Sequence, residues 1–179
     1  MSNKLDFIVF GVGRSGTTAV SRYISATEEF HCGIERFHVR VDHSKLTMPF
    51  SFFSDEYLPR KHPNFKFSEA DIIEKNVRII RYGNKLPTYF YRLSGVLAEI
   101  GQPKGILCAR AIRSVGYSFN TRSANSSDSW PRGRTALIAC GDAMLLVSAL
   151  QRIEDEEVLV VPHPAILDDW KAATSSILS

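Results

Sequence analysis

The stretch Phe7-Ile8-Val9-Phe10-Gly11-Val12-Gly13-Arg14-Ser15-Gly16-Thr17-Thr18 constrains the fold of this 179-residue chain more than any other. Four consecutive apolar residues read as a buried strand, and they stop at a glycine-rich turn carrying Arg14 and the hydroxyls of Ser15, Thr17 and Thr18. Helical character follows from Ala19 to Ala26. In a strand–loop–helix layout of this kind, backbone N–H groups and a helix N-terminus receive an anionic group. Gly13, Arg14, Ser15, Gly16, Thr17 and Thr18 are therefore expected to cradle a phosphate or phosphosulfate. A purely structural β–turn–α junction is the other reading of the same residues, since every parallel sheet contains such junctions.

A chain of this length fits one domain over residues 1–179, with 44% apolar and 23% charged residues, as expected of an ordinary globular fold. The net charge of +3 suits an anionic small molecule and falls short of a nucleic-acid-binding signature. No run approaches the roughly 20 apolar residues of a membrane span, and residues 1–6 leave no room for a signal peptide. Cys32, Cys108 and Cys140 lack paired spacing, which predicts reduced thiols in a cytoplasmic protein and no metal site.

Three nucleotide chemistries compete for the loop. Gly11-x-Gly13-x-x-Gly16 formally satisfies the dinucleotide fingerprint, with Glu35 near the position of a ribose-binding acid. Against it, Cys32-Gly33-Ile34-Glu35 does not look like the end of a strongly apolar second strand. Gly11-x-x-x-x-Gly16-Thr17-Thr18 also matches a Walker A loop, except that Thr17 stands where the phosphate-binding lysine belongs. That loss demotes the kinase and NTPase readings.

The third reading is a resemblance. Gly-x-Gly-Arg-Ser-Gly-Thr-Thr after an apolar strand resembles the 5′-phosphosulfate-binding loop of sulfotransferases that use 3′-phosphoadenosine-5′-phosphosulfate (PAPS), and most resembles the tyrosylprotein-sulfotransferase and bacterial branch. Further segments are similar in order. Cys32-Gly33-Ile34-Glu35 resembles the Cys-Gly-Glu-Glu segment that carries the catalytic glutamate, which implies that Glu35 is the general base. His38 and His43 are the reserve candidates, because other branches use histidine. Gly83-Asn84-Lys85-Leu86-Pro87 resembles Gly-Asp-Lys-x-Pro, with Asn84 replacing the acid, and implies that Lys85 steadies the leaving phosphosulfate beside Arg14. Lys104 to Ala109 reads as a buried strand ending at Arg110, and Ser118 stands eight residues on. The family grips the nucleotide's 3′-phosphate with such an arginine–serine pair, though the usual Asp-Pro is Ala111-Ile112 here.

The resemblance implies a P-loop-like three-layer α/β/α fold with a central parallel sheet. It also implies PAPS as co-substrate, no metal, and a hydroxyl-bearing acceptor: glycan, lipid-linked sugar, tyrosine or small alcohol. The alternatives are a P-loop nucleotide-binding protein or kinase, and a degenerate sulfotransferase fold that binds without turnover. The family's basic, glycine-containing loop that closes over the nucleotide is not found in this sequence.

Between these segments, the basic and aromatic residues 36–67 read either as an acceptor-binding or lid region or as a surface excursion. Ser68 to Asp71 reads as a capped helix start, Pro87 as the opening of a helix to Ile100, and Asn120 to Arg134 as an exposed loop. Ala136 to Ile153 reads as a helix, Glu157 to Val161 as a last strand and Pro164 to Ile177 as a closing helix. Arg113 and Arg122 read as a solvated helix face, or as secondary phosphate contacts.

Overall fold

The computed structural model describes residues 4–48, 51, 79, 81–153 and 158–168. The expected helix start at Ser68–Asp71, most of the basic and aromatic stretch, and the closing helix beyond Asp168 lie outside the described residues.

Five strands form one parallel sheet: β1 (Phe7–Phe10), β2 (Phe30–Ile34), β3 (Arg81–Lys85), β4 (Lys104–Ala109) and β5 (Val158–Pro162). Their spatial order is β2-β3-β1-β4-β5. The helices are α1 (Thr17–Ser25), α2 (Leu93–Ile100), α3 (Ile112–Ala124), α4 (Ala136–Leu150) and α5 (His163–Asp168), with 3-10 turns at His43–Lys45 and Pro87–Arg92. This is the three-layer α/β architecture expected from the sequence.

Strand periodicity explains the layers. Alternate residues of a strand face opposite sides. On β1, Ile8 and Phe10 join Leu107, Tyr89, Leu93, Val96 and Leu97 in one core. Phe7 and Val9 join Ile106, Cys108, Val20, Ile24 and Cys32 in the other, under α1. Both faces of β1 are buried, which is why it reads as an unbroken apolar run.

β2 and β3 were not legible as strands. β2 is Phe-His-Cys-Gly-Ile and β3 is Arg-Tyr-Gly-Asn-Lys, neither of them strongly apolar. Pairing overrides their weak propensity: β3 lies between β2 and β1, and β2, at the sheet edge, pairs along its whole length with β3. Glu35 follows β2, which ends at Ile34 and, as the sequence suggested, is not strongly apolar.

Two other boundaries differ from expectation. The helix opened by Pro87 begins as a 3-10 turn to Arg92 and only then becomes α2. α3 runs to Ala124, beyond the expected loop start at Asn120. Phe119 is fully buried against Trp130, and Asn120 Oδ1 accepts from the Ala136 N–H, so this last turn is tied down.

Because every strand is parallel, all five carboxyl ends share one edge. Gly11 follows β1, Glu35 follows β2, Lys85 ends β3, Arg110 follows β4 and His163 follows β5. Ligands of open α/β sheets bind outside this edge, near the point where connections diverge to either side. Here that point is β1: the chain leaves it for β2 and β3 on one flank, then crosses to β4 and β5 on the other.

Candidate functional site

The loop after β1 is held by backbone demands that only glycine meets easily. Gly11 has φ +149°, and a Cβ there would sit 2.5 Å from the Cys108 carbonyl oxygen and 2.7 Å from Ser15 Oγ. Gly16 has φ +102° and stands at the start of α1 with no side-chain cap. Arg14 also adopts a left-handed conformation, at φ 68°. The Ser15 N–H returns to the Val12 carbonyl at 3.1 Å, and the first helical bond runs from Val20 N–H to the Gly16 carbonyl at 3.1 Å. The N–H groups of the preceding turn, through Thr17 and Thr18, therefore have no intrahelical partner and are available to an anion. Thr17 and Ser15 are buried while Thr18 is exposed, and buried Ser15 Oγ makes no hydrogen bond among the described residues.

Three arginines converge beside this loop. Arg14 Nε donates to Ser118 Oγ at 3.1 Å, and Arg110 donates to the Arg14 carbonyl at 3.1 Å. Burial holds the Arg14 guanidinium below its ordinary pKa, and the like charges of Arg122 and Arg110 push the same way, against the pull of Asp128. A cation cluster with its own repulsion is relieved by a bound anion. Arg122 is not on a free solvated face: it makes two 2.6 Å bonds to the Asp128 carboxylate and lies 4.8 Å over the Trp130 ring. Arg113 is exposed. Next to Arg110 stands His163, one residue beyond the Ala109–Pro162 register pair, and its pKa is lowered by burial and by Arg110.

On the other flank, Lys85 Nζ donates to Glu35 Oε1 at 2.7 Å, and the Glu35 N–H donates to the Lys85 carbonyl at 2.6 Å. Lys85 is 3% exposed and Glu35 36% exposed, so the carboxylate faces outward over a sequestered ammonium. Glu35 takes φ 56°, a left-handed turn that ends β2 and reverses the chain. Asn84 supports that turn from beneath. Fully buried, its Oδ1 accepts from the Arg36 and Phe37 N–H groups at 3.0 and 3.4 Å, and its Nδ2 donates to the Phe37 carbonyl at 3.1 Å and to the Tyr89 hydroxyl. The two flanks are joined through the backbone, with Leu86 N–H on the Val9 carbonyl and Gly11 N–H on the Pro87 carbonyl.

Of the residues singled out from sequence, Arg14, Ser118 and Arg110 meet in one cluster and Glu35 meets Lys85. The reserve histidines do not join them in any described contact. His43 is fully buried with its ring 5.7 Å from that of Tyr89 and Nδ1 3.4 Å from Glu99 Oε2, and neither ring nitrogen makes a hydrogen bond. Burial lowers its pKa, against the pull of Glu99. His38 is exposed, its Nδ1 accepting from the Arg40 N–H.

Sequence reading missed the wall built by residues 128–142. Trp130 meets Phe119 edge-on at 5.0 Å, and the Arg134 guanidinium lies 5.2 Å over Trp130 and 5.6 Å over Phe119. Arg134 reaches buried Asp142 at 3.5 Å, whose other oxygen accepts from the Tyr91 hydroxyl at 2.7 Å. The available signal was Asp142 itself, the one charged residue in the apolar run from Ala136 to Leu150. A lone charge in such a run must find a partner. Among the described residues no group of His, Cys, Asp and Glu could hold a metal ion, and no helix is long and apolar enough to cross a membrane.

No protein-family model matches this chain, and no curated protein matches it by sequence. Solved structures do match it in three dimensions. Sulfotransferase STF1 of Mycobacterium tuberculosis H37Rv is similar with a TM-score of 0.62 at 13% identity, over 97% of this chain and 66% of that one. The sulfotransferase domain of the Synechococcus PCC 7002 olefin synthase is similar with a TM-score of 0.61 at 15% identity, over 98% of this chain and 72% of the other. Sulfotransferase STF9 of Mycobacterium avium is similar with a TM-score of 0.57 at 14% identity, over 99% of this chain. This chain spans 63% of the length of the Mycobacterium avium chain. At such identities the likeness is one of fold: the chain has the α/β fold of these bacterial sulfotransferases.

Proposed function

We propose that this chain, acting as a single domain over residues 1–179, transfers a sulfuryl group from PAPS to an acceptor hydroxyl. The observation that carries the reading is the joint placement of two clusters at one sheet edge: the Glu35–Lys85 pair on β2 and β3, and the Arg14–Ser118–Arg110 cluster around the glycine loop. Sulfuryl transfer needs both a cation-lined seat for a polyanionic donor and a base able to take a hydroxyl proton, and an outward-facing carboxylate is such a base.

In this reading the loop from Gly13 to Thr18 holds the 5′-phosphosulfate through the Arg14 guanidinium, the Ser15 hydroxyl and the N–H groups of Thr17 and Thr18, as the glycine geometry permits. Arg110 and Ser118 hold the 3′-phosphate, the guanidinium as a two-pronged donor. The acceptor oxygen forms a bond to sulfur, the bond from sulfur to the bridging phosphate oxygen breaks, and the hydroxyl proton passes to Glu35. Adenosine 3′,5′-bisphosphate leaves with the electron pair of the broken bond. Lys85 is already stripped of water beside Glu35, so its charge is turned toward the transferring group and the leaving phosphate with little reorganisation. No metal is required by this balance of charges.

The arginine loop and the Cys32-Gly33-x-Glu35 segment favour the tyrosylprotein-like branch over the histidine-dependent ones, and the buried position of His43 agrees with that preference. Cys32 and Cys108 are free, buried thiols whose pKa values are raised by burial, Cys108 to about 12, and such unreactive thiols suit a cytoplasmic setting.

The test is release of adenosine 3′,5′-bisphosphate from PAPS in the presence of a panel of phenols and alcohols, followed by chromatography. Acceptor-dependent release that falls at least about a hundredfold in Glu35→Gln is expected. A folded protein that binds PAPS yet never turns over would support the binding-only alternative.

A further inference from the structure

The loops that leave β2 and β3, together with residues 131–138, line a cleft of about 620 Å³ that presents both cationic and apolar side chains. Its position follows from the chain. His38 comes three residues after Glu35, and Thr88 three residues after Lys85; both line the cleft. Three residues of extended chain reach at most about 10 Å, so these two lining residues start within that backbone distance of Glu35 and Lys85, the residues proposed to handle the hydroxyl.

Arg40, Arg92, Arg134 and His38 line it, and no carboxylate does among the described lining residues. Their charges are not equally free. Arg92 is committed to the Val39 carbonyl and to Glu99, which lies behind it. Arg134 gives one nitrogen to Asp142, which is buried beneath it, and keeps its other N–H groups. Arg40 is exposed and makes no side-chain hydrogen bond or ion pair among the described residues. In the same lining, Val39, Pro131 and Ile138 offer carbon surface, and the half-exposed Tyr91 ring is pinned by its hydroxyl on Asp142.

Resting on the sulfuryl-transfer reading, we propose that this cleft seats the acceptor, and that the acceptor carries, besides its reacting hydroxyl, an oxyanion held by Arg40 and Arg134. The apolar side chains take the carbon framework between the two groups. A neutral sugar would gain no charge-assisted bond from Arg40 and would cover the carbon surface poorly, whereas a hydroxylated acid with a carbon framework uses both.

The test is equilibrium dialysis of three probes against protein saturated with adenosine 3′,5′-bisphosphate: 4-hydroxybenzoate, 4-hydroxyphenyl phosphate and methyl 4-hydroxybenzoate. Each acid is expected to bind about tenfold or more tightly than the ester, and their ranking tells carboxylate from phosphate. Arg40→Gln should bring the acids to within about threefold of the ester while the bisphosphate still binds. Equal binding of acids and ester, no binding of either acid, or an unchanged preference in Arg40→Gln overturns the cleft proposal and leaves sulfuryl transfer standing. Failure of the bisphosphate itself to bind overturns both.

Discussion

Glu35 and Lys85 are tied twice, by a 2.7 Å side-chain bond from Nζ to Oε1 and by a 2.6 Å backbone bond from the Glu35 N–H to the Lys85 carbonyl. The backbone bond extends the β2–β3 ladder by one residue, so the pair is aligned by the sheet before its charges meet. Lys85 is sequestered and Glu35 is not, and this asymmetry separates the energetic from the chemical role of each.

Glu35→Ala leaves a buried ammonium without its counter-ion, and we expect a loss of about 2 kcal/mol, below the full cost of a buried pair because Glu35 is partly solvated. Lys85→Met leaves only an outward-facing carboxylate behind and should cost less than about 1 kcal/mol. Both variants should nevertheless lose turnover by about a hundredfold or more. Denaturant titration and steady-state rates on the same preparations check the split. Equal destabilisation by both, with turnover retained in Lys85→Met, would sink the assignment of Lys85.

Asn84→Ala should destabilise by about 2 kcal/mol, since it removes the buried amide that accepts from the Arg36 N–H and donates to the Phe37 carbonyl. Asn84→Asp should do no better: a carboxylate cannot donate to the Phe37 carbonyl, which the Asn84 amide does at 3.1 Å. Thermal unfolding of the two variants decides, and rescue by aspartate would mean that the amide is not what holds the turn.

Gly11→Ala places a methyl group 2.5 Å from the Cys108 carbonyl at φ +149°. A loss above about 2 kcal/mol is expected, with a melting temperature lower by roughly 5 °C or more. A neutral effect would show that the loop after β1 is not held against β4.

Stability should fall as pH drops from 7 through 6. His43 is buried and its pKa is depressed, so the unfolded chain binds a proton that the folded one refuses. The unfolded state then holds more protons just below pH 6.5, and the stability contributed above that value is lost on acidification. His163, also depressed, adds to the same window. His43→Leu should flatten part of the slope, whose ceiling for one group is about 1.4 kcal/mol per pH unit. An unchanged slope in urea titrations at pH 7.5 and 5.5 would remove His43 from the account.

What the sequence made legible follows physical cause. β1 and β4 announce themselves because both their faces are buried and alternation disappears into apolar runs. β2 and β3 do not, because their buried positions hold His31, Asn84 and Lys85, whose polar groups are met by tertiary partners invisible in a linear chain. Arg14, Arg110 and Ser118 could be named from the family resemblance, and their meeting is consistent with a strand end and two helical turns. Trp130 and Arg134 could not, because they come from a stretch that reads as loop and gain their places by stacking on Phe119. The α4 helix was found, yet the role of Asp142 depends on Tyr91, fifty-one residues away.

In the proposed function the arginine cluster beside the glycine loop seats a nucleotide 3′,5′-bisphosphate. Its most direct test is thermal unfolding with excess adenosine 3′,5′-bisphosphate, beside ADP–Mg²⁺ and NADH. At about 100 times its dissociation constant a ligand stabilises by about 2.7 kcal/mol, several degrees for a domain of this size. The account predicts that shift with the bisphosphate alone, and its loss in Arg110→Ala. A shift with ADP–Mg²⁺ or NADH in its place, or one that survives Arg110→Ala undiminished, would contradict it.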